Sequence, residues 1–470
     1  MCVTPPEGGD QSRRSAGHVA HPGRLAHPGG VTFKLGTMSE DSSSALLTDH
    51  YELTMLQGAL HSGAAERRSV FEMFARRLPE GRRYGVVAGT GRFLELLERF
   101  HFGSAELDFL SDHGVVDERT LDWLARFRFN GDIWGYGEGE AYFPGSPILV
   151  VESSFAEAVI LETLALSVFN HDSAIASAAS RMAVAAGDRP LIEMGSRRTQ
   201  ERSAVAAARA AYVAGFATSS NLEAGRSHGV PTGGTAAHSF TLLHDNERHA
   251  FQAQLESMGN GTTLLVDTFD IERAVRHAVE LAGPELGAVR IDSGDLAAHA
   301  GRVRAQLDDL GATSTRVVVT GDLDEHSIQA LAVAPVDGYG VGTSLVTGSG
   351  SPTVSLVYKL VARARGLERD TPLEPVAKRS VGKPSRGGRK WALRRLDNRG
   401  TAIAEEVYGH EPITEVGTRP MLQPLVRGGE IVGREGVHDA RDRHRAAVEE
   451  LPEQALRMSR GDPALPTAFL

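Results

Sequence analysis

The sequence predicts an α/β protein that contains a parallel sheet or barrel, together with a second region in which strands and helices are mixed. From about residue 154, apolar strand-like runs alternate with helical ones, as in "TTLLVDTF" followed by "DIERAVRHAVELA". Each of these strands ends in Asp, Gly, Ser or Thr and passes directly into a helix. Such βα repeats bring the carboxyl ends of the strands to one edge, where ligands bind. The first third of the chain lacks this alternation, which favours an α+β arrangement there.

The change of character along the chain divides it into four segments. Residues 1–40 are rich in Pro, Gly and His and lack the apolar run of a secretory signal, so we expect a disordered extension; a transit peptide is the competing interpretation. Residues 41–153 form the α+β domain and residues 154–360 the βα domain. Residues 361–470 begin with a Lys/Arg excess, which indicates either solvated β-hairpins or a basic wall near anionic ligands. We therefore expect a basic, β-rich C-terminal region and tail.

The first element is a helix near the start of the α+β domain. Thr48 is the expected N-cap, because Ser and Thr side chains accept hydrogen bonds from the first turn. Leu53, Leu56 and Leu60 then recur at helical spacing. Gly63 supplies the C-terminal stop.

Strands and further helices follow in order. The stretches "RRSVFEMFARRL" and "GDIWGYGEGEAYFPGSPILVVES" read as strands, with a helix between them. Glycines and aromatic residues in the second stretch are typical of antiparallel ribbons with bulges. Beyond them, Ala-rich helices over about residues 154–187 and 200–214 flank the strand "RPLIEMGSR".

Composition and charge exclude several classes of protein. The net charge is −10, so the chain as a whole is unsuited to coat nucleic acid or an anionic membrane. Cys2 is the only cysteine, which rules out a disulfide framework and a thiolate metal site and fits a reducing cytoplasm. No apolar run reaches the roughly 18 residues that a membrane-spanning helix needs. We therefore predict a cytoplasmic protein that binds neither nucleic acid nor membrane and meets anionic ligands locally.

Polar and glycine-rich strand ends supply candidate binding residues. The strands in "VRIDSGDL", "VTGDLDE" and "YGVGTSLVTG" end in charged, hydroxyl or glycine residues. Capped turns are the alternative, since Asp and Ser routinely begin helices. Glycines, however, leave backbone N–H groups accessible to a phosphate. The carboxyl ends of successive βα strands also lie at the same edge of the sheet, so these residues should be close together. The candidates from these three ends are Arg290, Asp292, Gly321, Asp322, Gly342 and Thr343.

One histidine is surrounded by unusually small residues. In "VPTGGTAAHSF", His238 follows a glycine-rich turn and is followed by Ser239. A histidine that only packs usually has large apolar neighbours, whereas one that accepts a bulky, charged group needs space and free N–H groups. Upstream, Arg197 and Arg198 form a tandem pair after a strand. They are either ordinary surface charges or a pair that binds a carboxylate or phosphate through bidentate hydrogen bonds.

Together these motifs resemble the nicotinate phosphoribosyltransferase family. The resemblance runs from about Leu46 to about residue 420. Its landmarks occur in the expected order: "TDHYELTM", "EMGSRRTQ", "SSNLEAGRSHGVPTGGTAAHSF", "VDTFD", "VRIDSGDL" and "YGVGTSLVTG". The resemblance implies an irregular βα barrel like that of the type II phosphoribosyltransferases, with an α+β domain built from the N-terminal and C-terminal parts. It also implies a homodimer with shared active sites.

The resemblance further implies an activity. The family joins nicotinate to 5-phosphoribosyl-1-pyrophosphate to give nicotinate mononucleotide and pyrophosphate in NAD salvage, with ATP hydrolysis coupled through a phosphohistidine. A Mg²⁺ ion would be held mostly through substrate phosphate oxygens, since the sequence shows no His/Cys/Asp constellation that would bind a metal unaided. The alternatives are a nicotinamide-using enzyme, a non-catalytic sensor of phosphoribosyl pyrophosphate or NAD precursors, and a quinolinate-using enzyme.

Several residues match functional positions of the family. His238 matches the phosphorylated histidine and Asp267 an acid that orients it, although a helix cap is the alternative for Asp267 and Asp270 could be the partner instead. Tyr51 matches an aromatic residue that stacks on the pyridine ring, often across a dimer interface; a core position is the alternative. Arg197 matches the arginine that meets the carboxylate of nicotinate.

The remaining matches concern specificity and the sugar phosphate. Asn221 lies where nicotinamide-using relatives place an Asp, and an uncharged residue there favours the acid. Met194 stands where most relatives carry Phe, so a thioether would cover one face of the ring. Arg290 and Asp292 match a pair that contacts phosphate and ribose hydroxyls, and Ser239 is a further substrate-binding candidate. The loops around the 5-phosphate and pyrophosphate match Gly321, Asp322, Gly342 and Thr343.

Overall fold

The structure, a computed structural model, describes residues 42–378 and 385–470. The disordered extension expected over residues 1–40 lies outside the described residues and stays a prediction. Residues Ser43–Leu470 form one compact unit. Among the described helices, none combines the length and apolar character needed to cross a membrane.

The strands of the described residues belong to four sheets, two of which position the site. In chain order the strands are β1 (Arg68–Ala75), β2 (Gly85–Val86), β3 (Asp132–Tyr136), β4 (Ala141–Tyr142), β5 (Leu149–Ser154), β6 (Leu191–Glu193), β7 (Thr218–Ser219), β8 (Thr263–Leu265), β9 (Ala288–Ile291), β10 (Arg316–Thr320), β11 (Gly338–Val341), β12 (Leu356–Ala364), β13 (Leu373–Pro375), β14 (Trp391–Leu396), β15 (Ala402–Tyr408), β16 (Thr418–Pro420), β17 (Leu422–Arg427), β18 (Glu430–Ile431) and β19 (Thr467–Phe469). The smallest sheet pairs β2 with β4 alone.

The helices cover the faces of these sheets. In chain order they are α1 (His50–Ser62), α2 (Thr90–Glu98), α3 (Ser104–Asp112), α4 (Glu118–Ala125), α5 (Phe155–Val159), α6 (Glu162–Ala186), α7 (Glu201–Val213), α8 (Leu222–His228), α9 (His238–Leu243), α10 (Glu247–Met258), α11 (Ile271–Ala282), α12 (Leu296–Asp309), α13 (Glu325–Leu331), α14 (Thr343–Val346) and α15 (Val437–Glu449). Short 3-10 helices occupy Ala45–Leu47, Ser196–Arg198 and Glu453–Leu456.

The first helix begins one residue later than predicted. Asp49, not Thr48, is the N-cap of α1, and its N–H donates to the side chain of Glu52 at 3.4 Å. Thr48 instead donates its hydroxyl to the carbonyl oxygen of Ile160 at 3.1 Å. The side chain that the local sequence predicted as the cap is therefore used in a tertiary contact. The predicted stop is confirmed, since Gly63 ends the helix in the left-handed region with φ 71°.

The single helix predicted over residues 154–187 is wrong, because the chain divides there into a strand end and two helices. Ser154 ends β5 and caps α5, accepting the N–H of Glu157 at 3.2 Å. The separate start of α6 is stabilised by Glu52 of α1, which accepts the N–H of Thr163 at 2.8 Å. This cap comes from a residue 111 positions away and leaves no signal in the local sequence.

The βα region forms a curled parallel sheet of six strands in the order β7-β6-β11-β10-β9-β8. All its neighbouring strands are parallel. Helices α11, α12 and α13 make the crossovers between successive strands from β8 to β11. The prediction of an irregular βα barrel is confirmed, and the sheet takes the form of a half-barrel.

The other large sheet is antiparallel and draws strands from both ends of the chain. Its order is β13-β12-β1-β5-β3-β17-β18. Strand β1 lies between β5 and β12, so Phe71 faces Val151 on one side and Leu360 on the other. The C-terminal strand β19 pairs parallel with β15 in a third sheet, ordered β16-β14-β15-β19. The predicted α+β domain built from N-terminal and C-terminal parts is confirmed.

Helix α6 connects the cores of the two large sheets. Its first half packs into the core of the antiparallel sheet through Leu164 and Val168. Its second half packs into the core of the half-barrel through Ile175, Ala179 and Met182. With 25 residues the helix is about 37 Å long, enough to reach both cores. The helix therefore fixes the half-barrel relative to the antiparallel sheet.

A fully buried ion pair ties the third sheet to the rest of the protein. Arg394 on β14 and Glu405 on β15 are both 0% exposed, and their side chains meet at 2.7 Å. Tyr136 on β3 donates its hydroxyl to Glu405 at 2.7 Å, and Arg394 also donates to the carbonyl oxygen of Ala141 at 2.8 Å. The ion pair joins two neighbouring strands of the third sheet, and the contacts of Tyr136 and Ala141 connect it to two other sheets.

We expect Arg394→Met to lower the free energy of unfolding by about 3–5 kcal/mol, because the Glu405 carboxylate would stay buried without its cation. The matched control is Arg395→Met, since the side chain of Arg395 is 34% exposed where it pairs with Glu406 and its loss should cost much less. Urea unfolding followed by tryptophan fluorescence measures both. Equal losses in the two variants would contradict the role of the buried pair.

Candidate active site

A polar cavity of about 190 Å³ lies at the carboxyl ends of the half-barrel strands β6, β9, β10 and β11. Its wall is formed by Met194, Arg197, Arg198, Asp292, Thr320, Gly321, Asp322, Gly340, Gly342 and Thr343. The sequence candidates among them are Arg197, Asp292, Gly321, Asp322, Gly342 and Thr343. The structure therefore brings residues from four separate strand ends to one cavity, as the convergence of βα strand ends requires.

Two glycines allow the strand ends to come this close. A Cβ atom on Gly340 would lie 2.4 Å from Cγ2 of Thr320 and 2.8 Å from Sδ of Met194. Gly321 has φ 110°, and a Cβ there would lie 2.5 Å from the carbonyl oxygen of Asp292. Any other residue would push the strand ends apart or fill the cavity. The glycines leave backbone exposed to a ligand, as a phosphate site requires.

The cavity carries charges of both signs. Arg197 and Arg198 are exposed, and neither forms an ion pair within the described ranges. Asp292 accepts a hydrogen bond from the hydroxyl of Thr320, which links the ends of β9 and β10. Asp322 has φ 42°, a left-handed conformation that is uncommon outside glycine and is concentrated at functional sites. Unpaired arginines beside carboxylates suit a ligand that has both anionic groups and hydroxyls.

His238 stands beside the cavity at the start of α9, with its side chain 41% exposed. Its Nδ1 lies 3.2 Å from Oγ1 of Thr268. Its Nε2 lies 4.0 Å from Oδ1 of Asp267 and 3.8 Å from Oδ2 of Asp292. The ring therefore has a hydroxyl on one nitrogen and two carboxylates near the other. This exposed position beside charged groups differs from that of a histidine packed in a core.

The contacts of Asp267 and Asp270 separate the two alternatives for the carboxylate beside the histidine. Asp270 caps α11 and accepts the N–H of Arg273 at 2.8 Å. Asp267 caps no helix; one oxygen accepts the N–H of Asp292 at 2.9 Å and the hydroxyl of Ser293 at 2.8 Å. Its other oxygen is buried without a hydrogen-bond partner among the described residues and is the one nearest His238. The geometry thus favours Asp267 as the partner.

Arg290 connects the glycine-rich segment before His238 to the end of β9. Its guanidinium donates to the hydroxyl of Thr235 and is 8% exposed. Burial lowers the pKa of Arg290, while the nearby carboxylates of Asp292 and Asp267 act in the opposite direction. Because a guanidinium stays charged far above neutral pH, Arg290 provides a positive charge near the carboxylates of Asp292 and Asp267.

Asn221 lies next to the turn that carries Arg197, and its side chain already has partners there. Its Oδ1 accepts the N–H of Ala224 at 2.9 Å, so it caps α8. Its Nδ2 donates to the hydroxyl of Ser196 at 3.0 Å. The structure places this uncharged side chain in the scaffold of the arginine turn.

Two candidates lie apart from the cavity. Tyr51 on α1 is 43% exposed, and it is not part of the cavity wall. Its pKa is raised by burial and by the carboxylates of Glu162 and Glu52, which places it beside α6. Ser239 follows His238 on α9 but is exposed and also absent from the cavity wall. Within one chain, the described residues therefore do not bring Tyr51 to His238.

Two threonines near the site, Thr268 and Thr320, were not predicted from the sequence. Oγ1 of Thr268 lies 3.2 Å from Nδ1 of His238, and Thr320 donates its hydroxyl to Asp292. A threonine directly before a glycine or after a strand-end Asp is the signal that could have found them. Threonine is also common in ordinary strands, so this signal is weak without the fold.

Comparisons with known proteins point to one family. Residues 46–170 match the family model described as the nicotinate phosphoribosyltransferase N-terminal domain. The chain is 56% identical over 442 residues to the nicotinate phosphoribosyltransferase pncB1 of Mycobacterium tuberculosis, covering 92% of this chain and 96% of that protein. It is 30% identical over 447 residues to human nicotinate phosphoribosyltransferase, covering 81% of this chain and 82% of that one.

A solved structure gives the same result. The fold matches the crystal structure of human nicotinic acid phosphoribosyltransferase with a TM-score of 0.76 and 25% sequence identity. The match covers 90% of this chain and 97% of the human chain. Both the half-barrel and the antiparallel sheet therefore lie within the shared architecture.

We expect the protein to bind pyrophosphate in the cavity and Arg198→Ala to weaken that binding at least about 10-fold, because a hydrogen bond to a charged group contributes about 1.5–3 kcal/mol. Isothermal titration calorimetry measures the dissociation constant. Arg202→Ala is the control, since Arg202 is exposed on α7 and outside the cavity wall. An unchanged affinity in Arg198→Ala, or the same loss in both variants, would contradict the assignment.

Proposed function

The chain belongs to the nicotinate phosphoribosyltransferase family, and on that premise we propose that it joins nicotinate to 5-phosphoribosyl-1-pyrophosphate, giving nicotinate mononucleotide and pyrophosphate in NAD salvage. The observation that carries the proposal is the strand-end cavity, which has exposed arginines and bared backbone and whose Asp292 lies 3.8 Å from Nε2 of His238. A doubly phosphorylated sugar and an aromatic acid are both anionic, and each needs local positive charge in a chain whose net charge is −10.

The cavity suggests a place for each part of the substrates. The loops at Gly321 and Gly342 would hold phosphate groups on backbone N–H groups. Asp292 would accept hydrogen bonds from ribose hydroxyls. The guanidinium of Arg197 would bind the carboxylate of nicotinate, for which its planar fork is well suited.

A Mg²⁺ ion fits this arrangement only as part of the substrate complex. Among the described residues, no group of three or more His, Cys, Asp or Glu side chains is placed to hold a metal ion. The ion would therefore be bound through phosphate oxygens, with the carboxylates of Asp292 and Asp322 in the same cavity. When bound, it neutralises charge on the pyrophosphate leaving group.

The chemical step needs positioning and charge stabilisation more than proton transfer. The pyridine nitrogen of nicotinate attacks the anomeric carbon as the bond from that carbon to the pyrophosphate oxygen breaks. No base is needed, because the attacking nitrogen carries a lone pair and no proton at neutral pH. Arg197 would orient the ring, and Arg198 would stabilise charge that develops on the leaving group.

The surroundings of His238 support ATP coupling through that residue. Carboxylates near Nε2 favour a proton on that nitrogen, which leaves the lone pair on Nδ1 beside Thr268. In the proposed step, Nδ1 attacks the terminal phosphorus of ATP and the bond to the bridging oxygen breaks, releasing ADP. Water later cleaves the N–P bond and releases inorganic phosphate. The carboxylate of Asp267 would stabilise the imidazolium in between.

The first test is turnover of the purified protein with phosphoribosyl pyrophosphate and Mg²⁺, offering nicotinate or nicotinamide, each with and without ATP. We expect nicotinate mononucleotide to form and ATP to stimulate the rate. We expect His238→Ala to abolish the stimulation while keeping a basal rate, because the phosphohistidine cannot form. Labelled phosphate from ATP should be retained by the wild type and not by the variant.

Other outcomes would select a different function. Full ATP stimulation in His238→Ala would contradict the coupling. A preference for nicotinamide would indicate the amide-using enzyme, and no product from either base would favour the sensor. The cytoplasmic location stays a prediction from composition.

We also propose a homodimer in which Tyr51 reaches the cavity of the partner subunit. Exposed apolar side chains cluster in and just before α1, including Leu46, Leu47 and Met55 beside Tyr51, with exposures of 42%, 42%, 37% and 43%. Such a surface is typical of a contact between protein chains. A ring on this surface could cover a pyridine bound in another protomer.

A complementation experiment tests the shared site. Tyr51→Ala and His238→Ala are each expected to have low ATP-stimulated activity. In a randomly reassociated 1:1 mixture, about a quarter of the sites should be intact, because half the dimers are mixed and each holds one intact site. Activity no higher than the mean of the two separate variants would contradict a site shared between subunits.

A further inference from the structure

Glu193 is a buried carboxylate at the end of β6 that the proposed chemistry does not use. It is 1% exposed and, within the described part of the chain, has no ion pair with a cation. Burial raises its pKa despite the hydrogen bonds that it accepts. Several other buried carboxylates are paired with arginine, as Glu138 is with Arg209 and Glu405 with Arg394. Burying a carboxylate without a paired cation costs free energy of folding, which the hydrogen bonds that Glu193 accepts must offset.

The two oxygens of Glu193 hold two different loops. Oε1 accepts the N–H of Gly195 at 2.5 Å, within the turn that follows β6. Oε2 accepts the hydroxyl of Ser219 at 2.5 Å, at the end of β7. The turn is closely packed and needs glycine at this position, because a Cβ on Gly195 would lie 2.2 Å from Val346 and 3.1 Å from Glu193 itself.

These contacts close a ring of hydrogen bonds. The hydroxyl of Ser219 accepts the N–H of Asn221 at 2.9 Å. The side-chain amide of Asn221 donates to the hydroxyl of Ser196 at 3.0 Å, and Ser196 follows Gly195 in the chain. The ring therefore runs from Glu193 through both loops and back to the same turn.

Arg197 is the next residue after this ring. It is exposed and forms no ion pair in the described segments, so the backbone of the turn that Glu193 holds determines the point from which its side chain extends. We propose that Glu193 is a positioning residue that holds Arg197 against the pyridine carboxylate and thereby sets the preference for nicotinate over nicotinamide. This inference rests on the proposed function, because it assumes that the substrate carries a carboxylate.

The test is Glu193→Gln, which keeps the side-chain volume but replaces one acceptor oxygen with a donor. We expect the KM for nicotinate to rise about 10-fold, with kcat and the KM for phosphoribosyl pyrophosphate changed less than about 2-fold. Turnover of nicotinamide should be unaffected, because it has no carboxylate for Arg197 to bind. Equal rises in KM for both pyridines would overturn the proposal, since they would indicate general damage to the fold.

A double variant shows whether Glu193 acts through Arg197. If it does, Glu193→Gln combined with Arg197→Ala should have the same KM for nicotinate as Arg197→Ala alone. Losses that multiply would overturn the proposal. Glu72→Gln is the matched control, because Glu72 is also a buried carboxylate, 3% exposed, but lies in the antiparallel sheet. Its KM for nicotinate should equal that of the wild type.

If Glu193→Gln does not fold, Ser196→Ala tests the same proposal. Ser196→Ala removes only the partly exposed hydroxyl of the ring, and we expect a smaller rise in the KM for nicotinate with unchanged use of nicotinamide. No rise in Ser196→Ala would then overturn the proposal. Failure of the proposed function is distinguishable, because in that case the wild type itself would not use nicotinate.

Discussion

The parallel register of the half-barrel is the constraint on which the candidate site depends. Val318 on β10 is level with Arg290 on β9, and Thr320 is level with Gly340 on β11. Two residues beyond Arg290, the chain reaches Asp292, and Thr320 donates its hydroxyl to that carboxylate. A slip of one residue would turn these side chains to opposite faces and separate them. The hydrogen bonds between strands therefore determine which charges meet at the cavity.

Charge is distributed differently in the scaffold and at the site. In the scaffold, buried arginines are matched with carboxylates, as Arg394 is with Glu405. At the carboxyl edge of the half-barrel, Arg197 and Arg198 face the cavity unpaired within the described residues, while the carboxylates of Asp267 and Glu193 are held by neutral donors. The missing partner of the arginines is an anion and that of Asp267 a cation. Under the proposed function, the anionic substrates would supply the first and a transiently charged His238 the second.

The sequence predicted the parts of the molecule that local chemistry determines. Strand ends with Asp, Gly or Thr indicated a binding edge, and the fold gathers Asp292, Gly321 and Gly342 there. Long-range contacts account for what was missed: the cap that Glu52 provides to Thr163 divides a helix that the local pattern continues. The role of Asn221 beside the substrate stays a prediction; its hydrogen bond to Ser196, which depends on two loops meeting, could not be read from the local sequence. The local sequence also does not indicate which of the two nearby acids, Asp267 or Asp270, lies closer to His238.

The place of β1 in the antiparallel sheet has a consequence for how the protein is made. One edge of β1 pairs with β5 soon after synthesis, but the other waits for β12, which ends about 290 residues later. At about 5–20 residues per second, the ribosome leaves that edge open for on the order of 15–60 s. Five of the eight residues of β1 are apolar, and its unpaired edge exposes backbone N–H and C=O groups, so the open strand is prone to pair with other chains. An N-terminal fragment that ends before β12 would keep this edge of β1 unpaired and would stay prone to aggregation, whatever its own helices contribute to stability.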